Sequence, residues 1–492
     1  MKNPTMRRPT PPNVHMASCN LLKYLTFFAF SSSVALTSMA AFAQTVSRPD
    51  TQVPGQVEQS LQGNAQSREA AGQAASLAET DEAPVDDQAV LARPDDIGLT
   101  YRLALQRIRE GRLEMAASAL QRLLLVAPNL TSVRLLYGIV LFRLDDLLEA
   151  EAEFKRVQAA GAAADTARIA DEYLERIALR QRAFHGEASL GLGVAYDSNR
   201  NAFPVSDEGL FQGKLQAASG ARTSDVGWTA LGNASMSYDP GAQGLREIFA
   251  DASVLSVNQD RVHSLDTLAG VGEIGVTYHS AFGDIKPALF GETIDVGHQA
   301  YLNMGGVSLG LSRHLSADVV GFVTAKLGYE DYLNSAEFPT NTDQNGVLYD
   351  GLVGASYYVT PTVTLTGSYE AAYVDAHTAF DSYWSHLVRL DGNYVLPWRS
   401  FLLASLSGEW RGYQGPDAFV SNSVTRLDHN YDAKLTYGIP LDTIVPFESA
   451  KSVLKDLVVN LFVDYQYDAS TVPNYDWRAW RAGGLVTKSI RF

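Results

Sequence analysis

From Glu187 onward the apolar residues recur at every second position, over segments longer than most soluble strands. Between Thr362 and Asp375 one face reads Val363, Leu365, Gly367, Tyr369, Ala371, Tyr373 and the other Thr362, Thr364, Thr366, Ser368, Glu370. Leu457 to Asp468 sets Leu457, Val459, Leu461, Val463, Tyr465 and Tyr467 against Asn460, Asp464, Gln466 and Asp468, with Phe462 as an exception. Ala317 to Glu330 sets Val319, Val323, Leu327 and Tyr329 against Thr324, Lys326 and Glu330. These runs span about 11–14 residues, against ~5–6 for a common soluble strand, and are long enough to cross a bilayer at a tilt. One apolar face for lipid and one polar face for a lumen is the pattern of a transmembrane β-barrel. The polar faces make Lys326, Glu330, Glu370, Asn460, Asp464 and Gln466 the candidate lumen residues.

Fourteen such strands are predicted between 187–196 and 479–492, so the fold class is α plus transmembrane β, with an antiparallel barrel over residues 186–492. Connections after odd strands are mostly long and polar (197–225, 331–346, 414–426, 470–478). Those after even strands are mostly tight (281–284, 314–316, 360–361, 397–398). Long loops outside and short turns inside is the outer-membrane arrangement. The stretch 439–456 breaks the rule and reads as a longer inner turn with a short helix. Trp228, Trp384, Trp410, Trp477 and Trp480 fall near the long-loop ends of their strands and Trp398 at a tight turn, where amphipathic rings favour the headgroup zone.

An outer-membrane location requires export, and residues 1–43 carry the signal for it. Lys2, Arg7, Arg8 and Lys23 precede or flank a short apolar core from Leu25 to Leu36, with no acid in the segment. Ala41-Phe42-Ala43 before Gln44 is a small-x-small cleavage site, so cleavage is expected between Ala43 and Gln44. Cys19 is the only cysteine and lies before that site. Disulfides and thiolate metal sites are therefore not expected in the mature chain. Residues 44–94, rich in Gln, Ala, Ser and Glu and poor in aromatics, read as a disordered linker.

Residues 95–185 switch to helical spacing. Leu99, Leu103 and Ile108, then Ala116, Leu120, Leu123 and Leu124, fall on one face. A 34-residue period pairs Ala104 with Gly138, Ala116 with Ala150, and Leu120 with Phe154, and sets Gly111 against Asp145 at the inter-helix turns. This resembles tetratricopeptide repeats, in which short side chains let two helices cross closely. Asp165 to Phe184 makes a further amphipathic helix, a solvating cap. An unspecific pair of helical hairpins fits the same residues.

The formal charge of −16 is concentrated at the C-terminal end, where residues 186–492 carry −15. That acidity argues against nucleic acid as a partner. The histidines are scattered without metal-ligand spacing. Asp428-His429 and Ser385-His386 are adjacent on predicted strands, so their side chains face opposite ways. No enzyme activity and no cofactor are expected.

A helical-repeat module followed by a barrel whose first strand runs Gly191-Leu192-Gly193-Val194-Ala195-Tyr196-Asp197-Ser198-Asn199-Arg200-Asn201 resembles the surface lipoprotein assembly modifier family. The resemblance covers the signal, the repeats and the barrel, and its motif is Asp197, Ser198, Asn199 and Asn201. It implies a periplasmic repeat domain that binds an exported client, a surface lipoprotein or a secreted haem- or metal-binding protein, and passes it across the outer membrane. On physical grounds the same residues read as turn chemistry, their side chains satisfying nearby backbone groups at the strand rim. Ile490 and Phe492 at the end resemble the signal read by the barrel-assembly machinery, although Lys488 departs from it. Two alternatives share the layout: an exopolysaccharide export porin with periplasmic repeats, and a passive porin.

Overall fold

The computed structural model describes Val90, Arg93 and residues 96–492, apart from 241–245, 281, 317, 337 and 446–453. The predicted signal, the Ala43–Gln44 cleavage site and almost all of the 44–94 linker lie outside the described residues. The chain divides into a helical unit, ending at Arg182, and a barrel unit that begins at Ala183.

The helical unit contains α1 (Ile97–Arg109), α2 (Leu113–Val126), α3 (Thr131–Arg143), α4 (Leu147–Ala159) and α5 (Ala164–Arg180). Asp96 caps α1, its carboxylate accepting from Leu99 N at 3.0 Å. The α1–α2 and α3–α4 hairpins repeat at an offset of 34 residues. Their turns need one left-handed residue each, supplied by Gly111 (φ 74°) in the first and Asp145 (φ 63°) in the second. Asp is among the few side chains that tolerate this conformation. Ala104, Ala116, Leu120, Ala150 and Phe154 are all fully buried. At Gly138 an added Cβ would sit 2.9 Å from the Phe154 ring, so the ring occupies the space a side chain would take. Phe154 also stacks on Tyr173 of α5, centroids 5.1 Å apart, which ties the last helix to the second hairpin.

The barrel is a closed antiparallel cylinder of fourteen strands in the order β1-β16-β15-β14-β13-β12-β11-β10-β9-β8-β7-β6-β5-β4. Its members are β1 (Phe184–Asp197), β4 (Asp225–Tyr238), β5 (Arg246–Gln259), β6 (Thr267–Ser280), β7 (Gly283–Val296), β8 (Gln299–His314), β9 (Val319–Tyr332) and β10 (Gly346–Thr360). The others are β11 (Val363–Ala376), β12 (Tyr383–Val395), β13 (Phe401–Pro416), β14 (Thr425–Pro440), β15 (Leu457–Ser470) and β16 (Trp477–Arg491). The short helix α6 (Leu441–Ile444) follows β14.

Alternation along each strand sends apolar residues outward. Leu365, Leu390, Leu406 and Leu461 form part of a wall bounded by two aromatic bands. Trp228, Trp384, Trp410 and Trp480 mark the long-loop side, and Tyr238, Tyr278, Tyr357, Tyr394 and Tyr437 the short-turn side. Trp384 and Tyr394 are ten residues apart on β12. At ~3.3 Å per residue and a tilt near 40°, that separates the bands by roughly 25 Å, the height of an outer-membrane apolar belt. Trp477 is the exception to the predicted tryptophan pattern. It points inward, is 2% exposed, and packs with Ala202, Leu265 and Ala479. It opens β16 on the inward parity, whereas Trp480 lies on the outward one.

The seam between β1 and β16 is fully paired, from Glu187 opposite Arg491 to Asp197 opposite Arg481. Close backbone approach there depends on glycine, because a Cβ on Gly193 would lie 2.4 Å from the Gly484 carbonyl oxygen. Phe492 extends the pairing, exchanging 2.9 Å bonds with Gly186, and stacks on Phe184 with centroids 6.0 Å apart. Ile490 faces outward.

Two features differ from the sequence expectation. The connection between β7 and β8 is only Gly297-His298, both left-handed (φ 54° and 63°), although it follows an odd strand, where the connections are mostly long. The first long loop, read as plain polar chain, contains a hairpin, β2 (Glu208–Phe211) and β3 (Lys214–Ala217), turned by Gln212 and Gly213 at φ 49° and 76°.

Candidate functional site: a charged lumen beneath a tethered mouth

The lumen face of the barrel is built by the polar parity of each strand. Lys326 and Glu330 on β9, Glu370 on β11, and Asn460, Asp464 and Gln466 on β15 all occupy inward positions. Phe462 shares the inward parity on β15, and the Lys434 ammonium sits 5.3 Å from its ring centroid.

On the β12–β16 wall three buried carboxylates pair with arginine. Arg411 grips Glu409 through Nε at 3.1 Å and Nη2 at 2.8 Å and 3.0 Å. The same carboxylate accepts from Ser385 Oγ at 2.8 Å and Asn430 Nδ2 at 3.0 Å. Arg426 donates to Asp428 at 3.0 Å and lies 3.7 Å over the Tyr475 ring. Arg481 donates to Asp464 at 2.8 Å. Ion pairs taken out of water are costly unless neighbours add bonds, and Ser385 and Asn430 on adjacent strands do so for Glu409. Asp428 is fully buried while His429 faces the other way, as does His386 relative to Ser385, so neither pair forms a proton relay.

At the long-loop end, the segment after β1 folds across the mouth. Asn199 is 1% exposed. Its amide donates to Phe203 O at 3.0 Å and to Arg478 O at 3.1 Å, and accepts from Phe203 N at 2.9 Å. Asp197 accepts from Asn199 N, and Ser198 Oγ accepts from Trp480 N, both at 2.9 Å. Asn201 exchanges 2.9 Å bonds with Ala221 O and Thr223 N, closing the base of the loop. The Asp197–Asn201 run thus does more than turn the chain. Two of its side chains bond to β16, on the other side of the closing seam.

Arg200 reaches the opposite way, Nη2 donating to Leu265 O at 2.9 Å in the β5–β6 connection. Burial lowers its pKa, Asp197 opposes that shift, and Arg481 adds to it. Farther along, the β2–β3 turn docks on the β13–β14 loop, Gln212 N and Gly213 N donating to Phe419 O and Val420 O. Asn474, before β16, brackets Leu210 by accepting from its N at 2.6 Å and donating to its O at 3.1 Å. A second cover comes from the β9–β10 loop, whose Phe338 packs on Ile294, Val296, Tyr301, Leu302 and Tyr332. Sequence reasoning missed both covers. The loop aromatics Phe203 and Phe338 were the signal available, since an apolar ring in a polar connection needs somewhere to bury.

No protein-family model matches this sequence, and no curated protein matches it. Among solved structures, one similar chain is OccAB4 of Acinetobacter baumannii, with 11% identity over 62% of this chain and 98% of that one, at a TM-score of 0.29. Another is a loop L8 deletion mutant of OmpT, an outer membrane protein of Vibrio cholerae, with 8% identity over 63% and 100% and a TM-score of 0.31. The TPR domain of P58(IPK) is similar at 27% identity over 24% of this chain and 33% of that one, with a TM-score of 0.19. The closed cylinder, its apolar outer wall and its two aromatic bands define the class: an outer-membrane β-barrel preceded, among the described residues, by five helices.

Proposed function

We infer that the protein is a gated outer-membrane conduit that helps a specific exported client cross the membrane. In this reading the helical hairpins, repeating at 34 residues, are a tetratricopeptide-like module in the periplasm. They hold the client, a surface lipoprotein or a secreted haem- or metal-binding protein, and hand it to the barrel. The protein would then act as a surface lipoprotein assembly modifier does, with Ile490 and Phe492 presented to the barrel-assembly machinery during insertion.

The observation that carries this is the tether at the mouth. Asn199, Ser198, Arg200, Gln212, Gly213 and Asn474 bind the first loop to three other connections. A permanently open pore has no use for so many bonds across its exit, whereas a conduit that must seal between clients does. Nucleotide hydrolysis does not reach the periplasm, so client binding inside and folding outside would bias the direction of movement.

The test deletes the whole gene and, separately, residues 95–185, and compares surface-exposed proteins by labelling intact cells. Loss of one surface or secreted protein in both strains is expected, and an unchanged surface in both sinks the reading. A passive porin is the second reading, favoured by the charged lining of the lumen. Unselective uptake of small solutes by the intact protein would support it.

A further inference from the structure

The two walls of the lumen are not equivalent. Along β12–β16 the buried carboxylates Glu409, Asp428 and Asp464 each face an arginine. On the β6–β9 wall, Glu273 accepts from Ser308 Oγ at 2.7 Å. Glu292, the next acid toward the mouth, is different. It is 5% exposed, and among the described residues neither carboxylate oxygen has a hydrogen-bond partner. It stands opposite Met304, which in turn stands opposite Glu330, so two acids flank one thioether on adjacent strands. Glu330 repels a charge on Glu292 and Lys326 attracts one, but neither supplies a bond to it.

A carboxylate removed from water and given no partner is costly in the folded state. At Glu409, Asp428 and Asp464 the fold meets that cost with arginine. At Glu292 the polypeptide leaves the complement out, directly below the apolar cover formed by Ile294, Val296 and Phe338. An absent complement on an acid-rich wall defines the ligand by its chemistry: a cation carrying its own N–H donors. We propose that Glu292 anchors a lumenal subsite for an organic cation, an ammonium or guanidinium group. A guanidinium satisfies both oxygens at once through its planar fork, as Arg411 does for Glu409 through Nε and Nη2. The group could belong to a small solute or to a basic side chain of a polypeptide in transit. The inference stands on the lumen alone and holds for a solute channel as well as for a client conduit.

The probe is arginine amide, titrated calorimetrically into the full protein in detergent micelles. Saturable binding is expected, weakened at least tenfold by Glu292→Gln and kept within about threefold by Glu292→Asp. Heat-modifiable gel mobility establishes that each variant is folded. Met304→Arg gives an independent check, because it places a guanidinium of the chain beside Glu292 and should abolish binding in a folded barrel. Absence of saturable binding to the native protein overturns the proposal, the carboxyl then being a neutral buried group. So does undiminished binding to Glu292→Gln or to Met304→Arg. A decapeptide with a single arginine distinguishes the sources. Tighter Glu292-dependent binding than arginine amide points to a polypeptide, and equal or weaker binding points to a small solute.

Discussion

Replacing Asn199 with alanine should loosen the mouth without unfolding the barrel. The side chain makes three hydrogen bonds of 2.9–3.1 Å in a buried position, two to Phe203 and one to Arg478. A net value of ~1 kcal/mol per bond gives a loss of about 3 kcal/mol. At 1.4 kcal/mol per tenfold, opening of the loop should become ~100-fold more frequent. The barrel ladder does not depend on this residue, because the β1–β16 pairing from Glu187 to Asp197 is backbone to backbone. Amide hydrogen exchange read by mass spectrometry separates the two. Peptides covering 199–217 should lose protection by about two orders of magnitude, while peptides from β9 to β12 keep theirs. If protection of 199–217 changes less than about threefold, the tether is not held by this residue. If the whole barrel loses protection, Asn199 belongs to the global fold and not to a movable cover.

Further outcomes follow from the same geometry. Glu409→Ala leaves Arg411 buried without its partner, which should lower stability by ~3–5 kcal/mol, seen as a shift to lower urea in the unfolding of the detergent-solubilised protein. Asp417, in the loop on which the β2–β3 turn docks, has its pKa raised by burial, partly offset by the bond from Phe419 N and reinforced by Asp381. The covered state therefore holds the proton more tightly than the open loop. Cover stability is greatest below the ordinary carboxylate range and declines as pH rises through the raised value. Exchange protection of Gln212 and Gly213 should fall with rising pH, after correction for intrinsic rates, and Asp417→Asn should remove that dependence.

The barrel is legible in the sequence because lipid on one side and a polar lumen on the other enforce strict alternation, as along Thr362–Asp375. The helical unit is legible for a related reason, its small residues at Ala104, Ala116, Gly138 and Ala150 recurring with the period of the hairpin. What sequence could not give depends on closure of the cylinder. The Asp197–Asn201 run reads locally as turn chemistry, but its reach to Arg478 and Trp480 exists only because the first and last strands become neighbours. Trp477 and Trp480 look alike in the chain and differ only in parity at the start of β16. The isolation of Glu292 is likewise a property of its cross-strand neighbours Val271 and Met304, neither of which offers a donor. The β2–β3 hairpin escaped notice because its strands are four residues each, too short to show a clear period.

The most direct measurement is conductance in planar bilayers of the full protein beside a variant in which residues 208–217 are replaced by a Gly-Ser turn. A gated conduit predicts that the native barrel stays closed with brief openings and that the variant without the hairpin conducts steadily. A native barrel that already conducts steadily, at the level of that variant, would contradict the account.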